Sequence, residues 1–258
     1  EGIQLMVGDQ VRITLTSHNE GVIEEVLPRT TKLYRPPVAN VNQALILFAV
    51  KKPKININLL DRLLVLAEAN SLEILLCLNK IDLASPEEVN DVVNLYTSIG
   101  YNMLLTSALN GDGIDNIKAL LKDKLTVVAG PSGAGKSTLL NNLCSDIELK
   151  TGDISSKLKQ GRHTTRHVEL IPLEFGGLVA DTPGFSQLSI KDIPSEELPF
   201  FFPEIAELVN SCRFNGCYHL KEPGCVVREK VEKGEISPSR YNSYRQLLSE
   251  IRETERSY

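Results

Sequence analysis

The first residues that suggest chemistry form a glycine-rich octapeptide followed by a threonine. They are Gly130, Pro131, Ser132, Gly133, Ala134, Gly135, Lys136, Ser137 and Thr138. The octapeptide fits G-x-x-x-x-G-K-[ST], in which glycines let backbone N–H groups point at phosphate oxygens. Lys136 can reach the β- and γ-phosphates, and Ser137 can ligate Mg²⁺. A predicted strand precedes the loop and a predicted helix follows it, so the sequence predicts a nucleotide site with Lys136 as a catalytic group.

A second motif indicates which base the nucleotide carries. Asn79, Lys80 and Asp82 follow a short apolar run, and the dipeptide Ser107-Ala108 follows the next one. The Asp82 carboxylate can accept from the two N–H groups of guanine, a pattern that adenine does not offer. Asn79 can donate to the base, the stem of Lys80 can lie on the ring, and the Ala108 N–H can read guanine O6. Together with a phosphate loop, these residues predict GTP rather than ATP.

Two segments after the phosphate loop have the composition of nucleotide-sensing switches. Asp181 would hold Mg²⁺ through water, and the N–H of Gly184 would sense the γ-phosphate. Between the phosphate loop and Asp181 lies the segment 161–167, where a threonine hydroxyl would ligate Mg²⁺ and contact the γ-phosphate. Thr165 is the first choice and Thr164 the second. Loss of the γ-phosphate would release this segment.

The order of these motifs along the chain is itself informative. In ordinary small GTPases the phosphate loop comes first, whereas here the base-reading residues precede Gly130. Neighbours in a sheet need not follow chain order, so the pattern predicts a circular permutation. As a consequence, the chain that leaves Gly184 runs directly into the C-terminal part through residues 185–188.

Four metal-ligating side chains crowd into one short C-terminal segment. Cys212, Cys217, His219 and Cys225 follow the spacing Cys-x4-Cys-x-His-x5-Cys. Three thiolates and one imidazole suit tetrahedral zinc, and a site filled by four protein ligands is typical of a structural ion. Cys77 and Cys144 lie in apolar patterns and are interpreted as small core residues.

Between the motifs, apolar strand patterns alternate with helical ones, which predicts an α/β fold with a mostly parallel sheet covered on both faces. The predicted strands are Ala44–Val50, Ile74–Leu78, Met103–Leu105 and Leu125–Ala129, with Leu170–Leu173 and Leu178–Ala180 as a hairpin. The predicted helices cover the leucine-rich run at 59–66, Pro86–Tyr96 with Ser85 as N-cap, Ile114–Leu121 and Gly135–Leu143. We divide the chain into a β-domain (1–35), a GTPase domain (36–190) and a zinc-binding helical domain (191–258).

The N-terminal 35 residues have alternating strand patterns separated by turns. Taken alone they predict a β-hairpin or part of a small β-domain. The segment Arg35-Pro36-Pro37 is interpreted as a stiff linker to the α/β region.

The composition is that of a globular protein. The 258 residues are 42% hydrophobic and 24% charged, with a formal charge of −5. No apolar run approaches the roughly 20 residues that span a bilayer, so we expect a cytoplasmic protein without a membrane partner. The negative net charge argues against an RNA partner. The segment from Lys150 to His167, however, contains five basic residues and only one acidic residue. Because phosphate contacts respond to local charge, an RNA partner is compatible with this sequence.

The permuted order, the N-terminal β-segment and the C-terminal Cys-Cys-His-Cys pattern together resemble the RsgA/YjeQ family of bacterial ribosome small-subunit-dependent GTPases. The residues 35–41, Gly161–Thr165 and Asp181–Phe185 are similar to family patterns. The resemblance implies an OB-fold domain before the GTPase domain and a zinc domain after it, both of which contact ribosomal RNA. It also implies GTP hydrolysis stimulated by the small (30S) subunit and coupled to late maturation and release. An OB barrel has five strands, of which residues 1–35 can supply only the last few.

The residue that orients the attacking water is implied by the same resemblance. Many GTPases use a glutamine after Asp-x-x-Gly, but Phe185 occupies that position here. The family's proposed substitute maps onto His163, which could equally contact RNA or face solvent. We expect a monomer that binds GTP or GDP, Mg²⁺ and one structural Zn²⁺. The alternatives are an RNA-binding module whose nucleotide is only a structural or regulatory ligand, and a P-loop metabolite kinase.

Overall fold

The computed structural model describes residues 4–17, 20–34, 37–144, 168–181 and 189–256, which contain ten strands and seven α-helices. The strands are β1 (Val11–Ser17), β2 (Glu20–Val26), β3 (Lys32–Tyr34), β4 (Pro37–Ala39), β5 (Gln43–Ala49), β6 (Glu73–Asn79), β7 (Met103–Thr106), β8 (Leu125–Ala129), β9 (Glu169–Pro172) and β10 (Leu178–Asp181). The helices are α1 (Ile57–Ala69), α2 (Pro86–Thr97), α3 (Ile114–Leu121), α4 (Lys136–Leu143), α5 (Pro203–Ala206), α6 (Val226–Glu232) and α7 (Pro238–Glu255).

Six strands form the central sheet, in the order β7-β6-β5-β8-β10-β9. All neighbouring pairs are parallel except β9 and β10, which are antiparallel. The α/β prediction and the predicted hairpin are confirmed. The strand that precedes the phosphate loop, β8, lies at the centre, although it is among the last strands in the chain. The fold therefore tolerates the permuted order, because β8 pairs with β5 and β10 without regard to which came first.

The central strand β5 explains why its sequence is a continuous apolar run. Ala44, Ile46 and Phe48 belong to the hydrophobic cluster that contains α1 and α7, whereas Leu45 and Leu47 belong to the cluster that contains α3 and α4. Successive side chains of a strand point to opposite faces, so a strand covered on both faces needs apolar residues at every position.

The predicted N-cap of α2 is confirmed. The Ser85 hydroxyl accepts from the backbone N–H of Glu88, and the Glu88 carboxylate accepts from the backbone N–H of Ser85. Two backbone donors that the helix cannot satisfy are thereby paired, and Pro86 fits the first turn because it has no N–H to lose. The helix consequently starts directly after the loop that follows β6.

The described residues before 35 contain three strands, whereas an OB barrel has five. Strands β1 and β2 form a two-stranded antiparallel sheet with exposed side chains, and β3 pairs with β4. The linker interpretation is wrong for Pro37, which opens β4 opposite Tyr34; Arg35 and Pro36 lie outside the described residues. Leu33 and Val38 are buried in the main cluster, so this second pair of strands packs on the α/β region.

The C-terminal region shares its hydrophobic core with the α/β region. Ile190, Phe202 and Leu247 lie in the same buried cluster as α1 and β5. The division at residues 190/191 stays a prediction, since the core continues across it. Within the described ranges, no helix combines the length and the apolar character that are needed to cross a bilayer.

Candidate functional site

The strands that lead into the predicted site residues end at one edge of the sheet. Asn79 ends β6, Thr106 ends β7, Ala129 ends β8 and the backbone of Asp181 ends β10. These strands are parallel, so their carboxyl ends meet at the same edge, which is where open α/β sheets bind ligands. The base-reading loop and the phosphate loop therefore converge on one crevice.

Two glycines of the phosphate loop are required by its geometry. Gly130 has φ +146°, and a Cβ there would lie 2.0 Å from the carbonyl oxygen of Leu47. Gly135 has φ +100°, and a Cβ there would lie 2.3 Å from Nδ2 of Asn79. Any other residue would have to displace the Leu47 backbone at position 130, or the Asn79 amide at position 135, and would be strained at these φ values. The loop can thus lie directly against β5 and against the base-reading loop.

The lysine side chain of the phosphate loop is hydrogen-bonded to the backbone of the same loop. The Lys136 Nζ donates to the carbonyl oxygens of Gly130 and Pro131, both at 2.8 Å. Ser137 and Thr138 are exposed in the first turn of α4, where backbone N–H groups favour anions. The contact of Lys136 with the β- and γ-phosphates stays a prediction.

Asn79 is the side chain that joins the loops, and it is 1% exposed. Its Nδ2 donates to the Ala134 carbonyl of the phosphate loop at 2.9 Å. Its Oδ1 accepts from the Ala108 N–H at 2.9 Å and from the Thr106 hydroxyl at 3.2 Å. The Ala108 N–H is thus engaged by Asn79 in this structure, and its contact with guanine O6 stays a prediction.

Lys80 and Asp82 are held in place by different contacts. Lys80 lies in the left-handed region, and its Nζ donates to the carbonyls of Gly133 (2.7 Å) and Lys52 (2.5 Å). Its stem is therefore drawn across the crevice towards the phosphate loop. The exposed Asp82 accepts from the Ser107 hydroxyl at 2.6 Å, which orients the carboxylate. Sequence reasoning missed Lys52 and Thr106, since a carbonyl oxygen and one buried hydroxyl leave no motif.

The remaining predicted nucleotide contacts cannot be placed. His163, Thr164, Thr165, Gly184 and the side chain of Asp181 lie outside the described residues. Their roles stay predictions from the sequence.

The structure brings together the four predicted metal ligands. One ligand atom from each of Cys212, Cys217, His219 and Cys225 lies within 4.8 Å of the others. The sulfur atoms of Cys212 and Cys225 are 3.9 Å apart, and His219 Nδ1 lies 3.5 and 3.4 Å from them. Tetrahedral zinc with Zn–S of about 2.3 Å and Zn–N of about 2.0 Å has edges of about 3.8 and 3.5 Å. The cluster therefore fits zinc held by three sulfur atoms and Nδ1.

Burial shifts the pKa of several of these ligands towards their neutral forms. It raises the pKa of the Cys217 thiol to about 12 and also raises the pKa of Cys225. It lowers the pKa of His219, which keeps the imidazole neutral and its lone pair available. A cation must displace the thiol protons, so metal affinity falls as the pH falls. The buried Nε2 of His219 has no hydrogen-bond partner among the described residues.

The loop that carries the ligands is organised by neighbours that sequence reasoning missed. The Glu222 carboxylate accepts from the backbone N–H groups of Tyr218, Leu220 and Lys221. Burial opposes ionisation of this carboxylate, but the N–H groups outweigh it and lower its pKa. From α7, the Tyr241 hydroxyl donates to the His219 carbonyl at 2.6 Å. Glu222 could have been predicted to organise this loop, because it lies between the ligands His219 and Cys225. Tyr241 could not, because it is distant from them in the sequence.

The sheet order, the phosphate loop and the Asn79 contacts define a circularly permuted P-loop GTPase-type nucleotide-binding protein with an added cysteine–histidine metal site. A family model described as RsgA GTPase matches residues 26–191. The chain belongs to the RsgA GTPase family.

Named relatives and solved structures are similar over nearly the whole chain. The "Small ribosomal subunit biogenesis GTPase RsgA" of Caldanaerobacter subterraneus subsp. tengcongensis is 52% identical over 251 residues, covering 97% of this chain and 85% of the relative. The protein of that name from Bacillus velezensis is 47% identical, covering 98% and 86%. The structure of YjeQ from Thermotoga maritima has a TM-score of 0.84 at 40% identity, covering 96% and 85%. YloQ, described as a circularly permuted GTPase, has a TM-score of 0.80 at 42% identity, covering 97% and 82%.

The zinc assignment is tested by Cys225→Ser. The purified wild-type chain is expected to contain one zinc per molecule by plasma mass spectrometry, and the variant much less, because a hydroxyl is a poor zinc ligand. Cys144→Ser is the matched control, since Cys144 is a buried cysteine outside the cluster and should leave zinc content unchanged. Equal zinc in wild type and Cys225→Ser would contradict the assignment.

Proposed function

We propose that this chain hydrolyses GTP while bound to the small ribosomal subunit and couples hydrolysis to late subunit maturation and to its own release. As a member of the RsgA GTPase family it is a GTPase. Its relatives are named for small ribosomal subunit biogenesis. The observation that carries the nucleotide part is the buried amide of Asn79, which joins the base-reading and phosphate loops.

In this proposal the described residues bind and orient the nucleotide. Backbone N–H groups of the phosphate loop and the first turn of α4 surround the phosphates, and Lys136 neutralises their charge. Ser137 would ligate Mg²⁺, with Thr165 and Asp181 as further partners, and the ion would balance negative charge on the phosphates. Asp82, fixed by Ser107, accepts from guanine. His163 orients the attacking water, and Gly184 senses the γ-phosphate.

Residues 189–256, called the C-terminal module below, contain a basic groove that supports RNA as the partner. About 400 Å³ of open space on α7 is lined by residues that include Arg245, Arg252 and Arg256, against one carboxylate, Glu253. The Arg252 guanidinium lies 4.6 Å from the ring centroid of Tyr218, which restricts its orientation. Planar guanidinium groups bind phosphate oxygens in pairs, so the groove suits the phosphate backbone of ribosomal RNA.

The remaining expectations follow from this role. One structural Zn²⁺ holds the loop 212–225, and the protein acts as a monomer in the cytoplasm, where ribosomal subunits are assembled. The division into a partial OB-type domain (1–35), a GTPase domain (36–190) and a zinc domain (191–258) is part of the same proposal.

Guanine recognition is tested by Asp82→Asn. The substitution replaces one acceptor by a donor, so GTP affinity should fall roughly 100-fold, in line with the loss of charge-assisted hydrogen bonds. Xanthine carries a carbonyl where guanine carries its amino group, so affinity for xanthosine triphosphate should rise. Titration with fluorescent nucleotide analogues measures both affinities. Asp115→Asn, an exposed carboxylate on α3, is the control. An unchanged preference for GTP would contradict the assignment of Asp82.

The proposed activity is tested by multiple-turnover phosphate release with and without purified small subunits. We expect slow release alone and acceleration by subunits in the wild type. His163→Ala should lower the stimulated rate by roughly 100-fold, because the attacking water loses the side chain that orients it, with GTP affinity nearly unchanged.

The controls separate the alternatives. His18→Ala removes a histidine to which we assign no role and should keep the stimulated rate. A stimulated rate that survives His163→Ala removes that residue from catalysis. Failure of the wild-type chain to turn over repeatedly with subunits would favour an RNA-binding module with a structural nucleotide.

The RNA groove is tested by the double change Arg245→Glu with Arg252→Glu. Binding of small subunits should weaken, with a smaller dependence of log affinity on log salt concentration, because fewer phosphate contacts release counterions. Sedimentation with subunits at several salt concentrations measures both effects. Lys118→Glu in α3 with Lys122→Glu directly after it makes the same change in net charge elsewhere. Equal losses in the two double variants would show that total charge, not the groove, determines binding.

A further inference from the structure

A buried ionic cluster joins three separate parts of the chain. Arg240 of α7 is 1% exposed, and its Nη1 donates to Oδ1 of Asp61 in α1 at 2.5 Å. Its Nε and Nη2 donate to the two carboxylate oxygens of Glu204 in α5, at 2.8 and 3.1 Å. The Tyr96 hydroxyl of α2 also donates to Asp61, at 2.8 Å. One guanidinium fork therefore binds two carboxylates that are far apart in sequence.

Such a cluster is a poor way to gain stability alone. Two carboxylates face a single guanidinium in a dry environment, and burial raises the pKa of Asp61 although Arg240 opposes this. Apolar side chains of similar volume hold helices together at least as well, because they need not be stripped of water. Planar, bidentate hydrogen bonds do, however, fix the relative orientation of the elements that they join.

Each joined element leads to a functional part of the molecule. Helix α1 follows the loop that contains Lys52 and Pro53. The Lys52 carbonyl accepts from Lys80, and Pro53 lies against Gly133 of the phosphate loop. Glu204 lies on the segment that leaves β10 and the predicted switch. Helix α7 carries the basic groove and supports the backbone of the zinc loop through its tyrosines.

We propose that Arg240 is the positioning residue that fixes the C-terminal module against α1 and the segment after the switch, so that subunit contact at α7 changes the hydrolysis rate at the phosphate loop. The inference rests on the proposed function. In this role Arg240 connects α7 to Asp61 and Glu204 and does not itself contact nucleotide, metal or RNA. Its loss should therefore lower the maximal stimulation by subunits without lowering subunit affinity or the intrinsic rate.

The main test is a triple variant, Arg240→Met with Asp61→Asn and Glu204→Gln. All three charges are removed together, which leaves no buried carboxylate without a cation and keeps a partner for Tyr96. Intrinsic GTP hydrolysis, zinc content and the subunit concentration for half-maximal stimulation should stay within about threefold of wild type. The maximal stimulated rate should fall at least tenfold.

Two further variants complete the test. Arg62→Met with Glu250→Gln removes a more exposed ion pair between the same two helices and should retain full stimulation. Arg240→Lys keeps the charge but cannot bind both carboxylates in a fork, so stimulation should fall at least threefold. Full stimulation in a folded, zinc-loaded triple variant, or in the lysine variant if the triple variant does not fold, overturns the proposal. Absence of stimulation in the wild type would instead overturn the proposed function.

Discussion

The nucleotide site depends on one buried amide. Asn79 can join the phosphate loop and the base-reading loops only because β6, β7 and β8 are parallel and end at the same edge. One of its two N–H donors and its carbonyl oxygen are used in that junction, so these contacts form without a ligand. Gly135 must be a glycine for the same reason, since a side chain there would occupy the position of the amide. The two loops are thus preorganised as a single unit.

The permuted chain order has a mechanical consequence that an ordinary order would not have. The segment after β10 leads directly to Ile190, Phe202 and Glu204, which pack or pair against α1 and α7. The sheet itself is indifferent to the order, because its hydrogen bonds join neighbours in space. The chain order determines which element follows the predicted switch, and here Ile190, Phe202 and Ile205 belong to the core shared with α1 and α7.

Much of the fold could be predicted because the signals are local. The run at 44–50 is apolar throughout as a strand buried on both faces must be, and Ser85 with Glu88 is a complete capping box. The phosphate loop and the cysteine spacing are likewise contained in short segments. The ionic cluster could not be predicted, since Asp61 and Arg240 are 179 residues apart and each resembles an ordinary helix-surface charge. The linker prediction fails at Pro37 because proline is common in linkers but is also accepted at the first position of a short edge strand.

The metal site and the groove are linked through α7. The Tyr241 and Tyr244 hydroxyls donate to the carbonyls of His219 and Tyr218, so the zinc loop is bound to the same helix that carries Arg245 and Arg252. A metal that closes the loop also fixes Tyr218, over which the Arg252 guanidinium lies. In the proposed function, a bound zinc ion would support RNA recognition without touching RNA, because it would hold the loop that carries Tyr218 beside Arg252. Because Arg240 belongs to this helix too, α7 carries both the groove and the proposed connection to the phosphate loop.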